Sequence, residues 1–359
     1  MGLTNLVRLF FLSVVLVEMA CEVGTGKGSV GEFQATLPTA SVLHMAMEAV
    51  SDETSGASSR GSRSALGTSS SGFHDLTVQT MDVANVDIAL LLGLLDEATA
   101  ASSVLAEPDT AVWRSTNGAG FQEHLLVIRR VPDGYYDSVL ASRSTEPAGS
   151  PWRQRLAGSY TPGTSPGQGQ GSMWIDFDTD LDDATSGKLL VLWSTLGGER
   201  EIDVFRYVLS TEGGVDAPRN QTSGFHENAD LSGTFVFSAM IAIPENDRES
   251  STEVDALIVS RWTPQFEGRS DAHVSGVAAT ERGFDEEVAS QCWKALGKVT
   301  TYDAIVGQRN DHAVGGKVDH KVLKSQGRVE DCPFLDSADA LLPSRPAEPS
   351  TPPLPEQAD

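Results

Sequence analysis

Apolar and polar positions follow two regimes along the chain. Val83, Val86, Leu90, Leu91, Leu94 and Ala98 recur at helical spacing, with Asp82 as a candidate N-cap and an end near Ala101. Leu90 to Leu95 is almost continuously apolar, which predicts a helix covered over much of its circumference, with a sheet as the cover. From Asp109 the period shortens. Segments 110–117, 123–131, 135–142, 152–160, 172–178, 188–196, 199–209, 233–243, 254–262, 270–278 and 299–305 are short, contain β-branched or aromatic residues, and are separated by turn chemistry. Pro132-Asp133-Gly134 and Gly197-Gly198 are the most specific of those turns, and the spacing predicts antiparallel pairing between sequence neighbours. Ile202, Val204 and Arg206 alternate with Asp203, Phe205 and Tyr207, so both faces of that strand carry large side chains. A short apolar segment from Leu37 to Met47 is expected as a first strand. The fold class expected is mainly β (α+β): a large curved antiparallel meander sheet, or half-barrel, packed on one main helix.

The flanks have a different character. Residues 1–20 hold one basic residue, Arg8, then the apolar run Leu9 to Val17, too short to span a bilayer but the length of a secretory h-region. The run ends in Glu18-Met19-Ala20-Cys21, and a small residue directly before a cysteine is what a lipoprotein signal peptidase recognises. Cys21 is therefore the expected lipidation site, with ordinary secretion and cleavage nearby as the alternative. The expected organisation is a signal peptide at 1–20 and a Gly-rich tether at 21–36. A single β-rich domain follows at 37–336, with a Ser/Gly-rich insertion at 51–72, and a Pro-rich disordered tail at 337–359.

Composition changes this picture in one respect. Asp and Glu total 50 against 26 Lys and Arg, a formal net charge of −24 over 359 residues. That field repels polyphosphate, so nucleic acid is not an expected partner. Arg8 and Glu18 leave together on processing, so the exported chain keeps the same imbalance. Only Cys21, Cys292 and Cys332 exist. With the first assigned to lipid, the other two form an even pair: a disulfide in an oxidising compartment, or two buried thiols.

The residues also carry a resemblance. Trp113, Tyr136 with Leu140, Gly158 before Tyr160, Gly171 before Asp176-Phe177-Asp178, Ser260-Arg261-Trp262, Gly268-Arg269-Ser270-Asp271, Ser275-Gly276 and Cys292-Trp293 follow one another in this order. In this the chain resembles a group of exported lipoproteins, of unknown function, from myxobacteria and related predatory or soil bacteria. The resemblance covers about residues 75–305 and is strongest over 255–302. The chain departs from the group's pattern with Ser270 for Ala, Val277 for Gly and Lys294 for Asp. It implies an envelope lipoprotein with a β-rich body and brings no activity with it. By architecture alone the expected body is similar to carrier lipoproteins of the LolA and LppX kind.

Candidate chemistry is sparse. Asp176, Asp178 and Asp180 alternate toward Asp182-Asp183 and offer carboxylates of the kind calcium takes, but Leu181 and Gly187 break an EF-hand loop, and a plain acidic loop is the competing reading. His44, His74, His124, His226, His273, His312 and His320 are scattered without zinc spacing. No Gly-x-Ser-x-Gly elbow or His-Glu-x-x-His is present, and no motif asks for a cofactor. Arg269 and Asp271 read as a recognition pair or as a local ion pair in a tight turn. The six tryptophans read as core, or as an apolar platform if several converge on one concave face. The expected role is a lipid-anchored envelope protein at the outer membrane or periplasmic face, with a binding or structural function. Its partners are the membrane through Cys21 and an envelope protein or apolar ligand. A carrier of a lipid between sheet and helix is the alternative, and a hydrolase a remote one.

Overall fold

The structure is a computed structural model and describes residues 30–47, 72–116, 120–132, 134–165, 168–176, 186–210, 221–244, 251–281, 283–294, 299–311, 317–338, 342–344 and 346–347. Two short helices, α1 (Val30–Gln34) and α2 (Ala40–Leu43), precede a long one, α3 (Gly72–Thr99). The strands then run β1 (Ser103–Glu107), β2 (Thr110–Thr116), β3 (Gln122–Arg130), β4 (Tyr136–Ser144), β5 (Arg153–Pro162), β6 (Gly169–Asp176), β7 (Ser186–Ser194) and β8 (Arg200–Ser210). They continue as β9 (Thr222–Glu227), β10 (Gly233–Pro244), β11 (Ser251–Trp262), β12 (Gly268–Ser275), the short α4 (Val277–Glu281), β13 (Glu286–Lys294), β14 (Val299–Asp311) and β15 (Lys317–Gly327). The described strands form one antiparallel sheet in strict sequence order, every strand pairing with its neighbours in the chain. The protein is mainly β.

Alternation sorts the side chains of this sheet onto two faces. On the inner face, Trp113, Leu126, Leu140, Leu156, Ile175 and Leu189 are directly paired in turn from β2 to β7. All six are buried. Two inner tryptophans lie over glycines on the paired strand. A Cβ on Gly233 would come within 2.4 Å of the Trp262 ring, and one on Gly268 within 2.1 Å of the Trp293 ring, so only glycine leaves the indoles room. The outer face carries ion pairs, as where Glu123 holds Arg143 and Arg114.

Helix α3 begins ten residues before the expected N-cap, and Asp82 lies inside it. Its first turns hold threonines that return their hydroxyls to the backbone, Thr77 to Phe73 O at 2.7 Å and Thr80 to Leu76 O at 2.9 Å, so polar residues continue the helix where the sequence pattern weakens. The buried side is Met81, Ala84, Ile88, Leu91, Leu92, Leu95 and Ala98, in one apolar cluster with the inner strand residues. Val83, Val86 and Leu90, expected as core, are 44%, 68% and 49% exposed. A helix apolar on most sides does not announce which face is buried. Two polar links join it to the sheet: Thr77 Oγ1 lies 2.6 Å from Ser260 Oγ, and Arg206 of β8 donates to Asp87.

The expected first strand, 37–47, holds α2 and a turn instead, with Val42, Leu43, Met45 and Met47 buried by packing rather than by strand pairing. The folded body also starts earlier than the tether reading places it, because Phe33 of α1 is fully buried and meets Tyr136 edge-on at 5.9 Å. The insertion expected at 51–72, except Gly72, which opens α3, lies outside the described residues, as do the remainder of the tether and the signal segment.

Candidate functional site

Cys21, Asp178, Asp180 and His312 lie outside the described residues. Asp176 is buried at the end of β6, directly opposite Lys188, and among the described residues no three His, Cys, Asp or Glu side chains are placed to hold a metal. Trp113, Trp193, Trp262 and Trp293 belong to the inner core, while Trp174 sits on the opposite, outer face. The four inner tryptophans are buried in packing.

What the structure does bring together is the pair Arg269 and Asp271 with the chain that follows β15. Both residues lie within β12, not in a turn; the turn is Thr263–Glu267, where the Phe266 N–H bonds to Thr263 O. Two residues apart on one strand, they share the outer face, directly opposite Cys292 and Ser290 of β13. Asp271 is fully buried. Its Oδ1 accepts from Arg269 Nε at 2.8 Å and from Ser290 Oγ at 2.6 Å, and its Oδ2 accepts from the Ala338 N–H at 3.1 Å. Arg269 Nη1 donates to Phe334 O at 3.1 Å and Leu335 O at 2.6 Å. Arg261, in register on β11, donates to Asp336 O and lies 4.7 Å over the Phe334 ring. Cys292 and Cys332 are joined at a Cα separation of 5.5 Å. One disulfide, two guanidiniums and one carboxylate thus clasp residues 332–338 across β13, β12 and β11.

Beyond the clasp, the chain read from sequence as a tail with little to bury lies on the sheet at its described positions. Asp271, Val259, Val236, Gly224 and Asp203 form one directly paired row across β12 to β8. Pro343 is seated on Gly224, where a Cβ would come within 2.7 Å of its Cγ. Further on, the Tyr207 hydroxyl donates to Pro346 O at 2.9 Å. Tyr207 belongs to an outer apolar cluster with Phe205, Leu190, Trp174 and Ala157, separate from the core.

Asp203 lies beside the Pro343 seat, and burial, followed by the charge of Glu201, pushes its carboxyl up to about 6. The folded pKa exceeds the unfolded one, so this group's contribution to stability is full below pH ~4, falls as pH rises through about 6, and stays lost at neutral pH. Asp203→Asn should therefore raise the melting temperature at about pH 7.5 and confer no advantage at about pH 4. Melting curves across that range check it; an identical offset at both ends would mean that the carboxyl ionises without cost.

A second constellation tests the hydrolase reading. Ser142 Oγ lies 2.8 Å from His124 Nδ1, and His124 Nε2 lies 3.9 Å from Glu97 Oε1. The order of groups is that of a nucleophile, a base and an orienting acid. Ser142 and His124 are however 5% and 2% exposed, a cross-strand pair facing inward with no approach for a carbonyl carbon. A cleft lined by Val83, Ala84, Asp87, Val204, Arg206, Gln221 and Ser223 lies between α3 and the sheet, with room for about one water molecule.

The strand-borne clasp was legible as two residues but not as a site, because its other half lies 63 to 69 positions further along the chain, at 334–338. The seat on Gly224 had one signal in the sequence: Pro343, Pro346, Pro349 and Pro352 recur every third residue, the period of a polyproline II helix. No family model, curated protein or solved structure matches the chain.

Proposed function

We propose that the chain is a lipid-anchored envelope protein of bacteria, related to the exported lipoproteins it resembles, with a binding or structural role at the membrane surface. The observation that carries this reading is the address: a nine-residue apolar run, Leu9 to Val17, followed by Ala20-Cys21. The surface supports a binding role over catalysis. It places an organised set of buried donors and aromatic rings on the outer face, while Ser142 and His124 are closed in.

The finer architecture in this proposal is a half-barrel curved around α3. Helix α3, about 42 Å long, lies across the strands, with Thr77 near its start at Ser260 on β11, Asp87 at Arg206 on β8 and Glu97 near its end beside His124 on β3. The exposed Val83, Val86 and Leu90 mark the side of the helix left open. The alternative, a carrier holding a lipid between sheet and helix, calls for a cavity of at least ~300 Å³. The inner residues that pack α3 against the sheet favour the binding role over it.

Intact mass spectrometry of the detergent-extracted protein, with and without reductant, tests the address. A diacylglyceryl group on an N-terminal Cys21 is expected, together with a two-proton gain on reduction. An unmodified chain that retains residues 1–20 would remove the proposal.

A further inference from the structure

We infer that the segment beginning at Cys332 is an exchangeable strap: the outer-face track that seats it, from Cys292 through Asp271, Arg269 and Arg261 to Gly224 and Tyr207, also takes the same segment of a second copy, and the Cys292–Cys332 disulfide fixes whose strap is seated. This partner rests on the binding role proposed above and not on the lipid at Cys21, so each is tested separately.

What the track recognises is mostly main chain. Arg269 donates to Phe334 O and Leu335 O, Arg261 to Asp336 O and Tyr207 to Pro346 O, while Asp271 accepts from the Ala338 N–H. Strap side chains enter at Cys332, at Phe334 beneath the Arg261 guanidinium, and at Pro343 on Gly224. A second copy presents the same carbonyls, N–H and side chains, so every one of these contacts can be made between copies as well as within one. The track has no means of reading the covalent connection behind the strap.

That connection is slight. β15 ends at Gly327, and the 3₁₀ turn Val329–Asp331 that follows buries none of its side chains. Arg328 reaches Glu330 within the same turn. No described residue of 332–347 belongs to the apolar cluster around α3. The strap can therefore leave one sheet and close on another by turning about residues 328–331, with the inner core untouched.

Two terms oppose exchange while the strap is seated at home. The hinge holds it at about millimolar effective concentration, and the disulfide makes the home contact covalent. Each copy also carries a net charge of −24, which keeps copies apart until salt screens it. Exchange is thus a property of the reduced chain at high local concentration, and oxidation locks whichever arrangement it finds.

The test mixes two full-length chains, both with Cys21→Ser. One carries Cys292→Ala and keeps the Cys332 thiol on its strap; the other carries Cys332→Ala and keeps the Cys292 thiol in its track. In this mixture the native bond can form only between copies. Oxidised glutathione is the oxidant: the two thiols give up two protons and two electrons to form the S–S bond, and the glutathione disulfide is reduced to two thiols. Non-reducing electrophoresis and peptide mass spectrometry should show a covalent heterodimer about tenfold or more above the homodimers formed by either chain alone, with a yield that rises with salt. Because Cys292 is fully buried, chance collision is a poor route to it. A cysteine-free peptide of residues 333–347 at about millimolar concentration should suppress the heterodimer, and its Phe334→Ala, Pro343→Ala version should need about tenfold more. No heterodimer above the homodimers, with both chains folded by circular dichroism, would overturn the inference, as would a heterodimer indifferent to the peptide. Refolding the Cys21→Ser parent covers the case in which the single-cysteine chains do not fold. Isotope-labelled and unlabelled chains, reduced, denatured and refolded together with glutathione at rising concentration, should join a growing share of their Cys292–Cys332 bonds between copies, and bonds confined to single copies at every concentration would count equally against exchange.

Discussion

Asp271→Ala should destabilise the protein by about 3–5 kcal/mol, among the largest effects available to a single substitution outside the core. The carboxylate is fully buried and makes three hydrogen bonds, to Arg269, Ser290 and the Ala338 N–H. Removing it leaves the Arg269 guanidinium, 5% exposed, without its counter-charge, and Arg261 close by with no carboxylate 3.7 Å away. The cost is the price of an uncompensated buried cation, which exceeds the net worth of the intact pair. The Arg269→Met, Asp271→Leu double variant should accordingly recover much of the loss, since it buries no charge. Urea denaturation of the three chains checks both statements. A loss under about 1 kcal/mol for Asp271→Ala would mean that the clasp opens and water solvates the arginines.

Loss of the Cys292–Cys332 disulfide should cost a further amount of similar size. The bond spans 40 positions, and constraining a loop of that length in the unfolded chain stabilises the fold by about 4 kcal/mol in the chain-entropy account. Cys292→Ala with Cys332→Ala is the suitable variant, because Cys292 is fully buried and serine would add an unpaired hydroxyl. The variant and the reduced parent should show the same lowered denaturation midpoint, the oxidised parent alone standing higher; a midpoint indifferent to reductant would remove the disulfide from the energetics. Asp271 and the disulfide hold the same stretch of chain, so their effects should add to less than their sum, as expected for coupled neighbours.

The contrast between elements read from sequence and elements missed has a physical basis. Eleven of the strands announce themselves, because each alternates large apolar residues toward the core and ends in turn chemistry. β1, β9, β13 and β15 do not. β9, Thr222–Glu227, contributes one large apolar residue, Phe225, and takes its place because β8 and β10 flank it. β13 opens with Glu286-Glu287 and carries Ala289 and Gln291, a local text as suited to a helix. β15 carries Lys317, Lys321 and Lys324, a charged edge that discourages further pairing. Helix α3 was legible in type but not in face. Of the clasp, Arg269 and Asp271 stood out as a pair. Their partners did not, since backbone carbonyls at 334–336 have no residue identity to read.

The strict sequence order of the sheet has a consequence for how the molecule assembles. Every strand of the described sheet pairs with the strand just made, so each addition closes only a short loop, and the contact order of the sheet is low for a β protein of this size. Helix α3 precedes all of these strands in the chain and can present its apolar face while the meander grows along it. Growth is then vectorial, from β1 toward β15, with no strand waiting for a distant partner. Among the described residues, the C-terminal segment doubles back over the sheet, and its anchors on β13, β12, β9 and β8 exist only when those strands are paired. Its closure is the last step, made only on a sheet already complete.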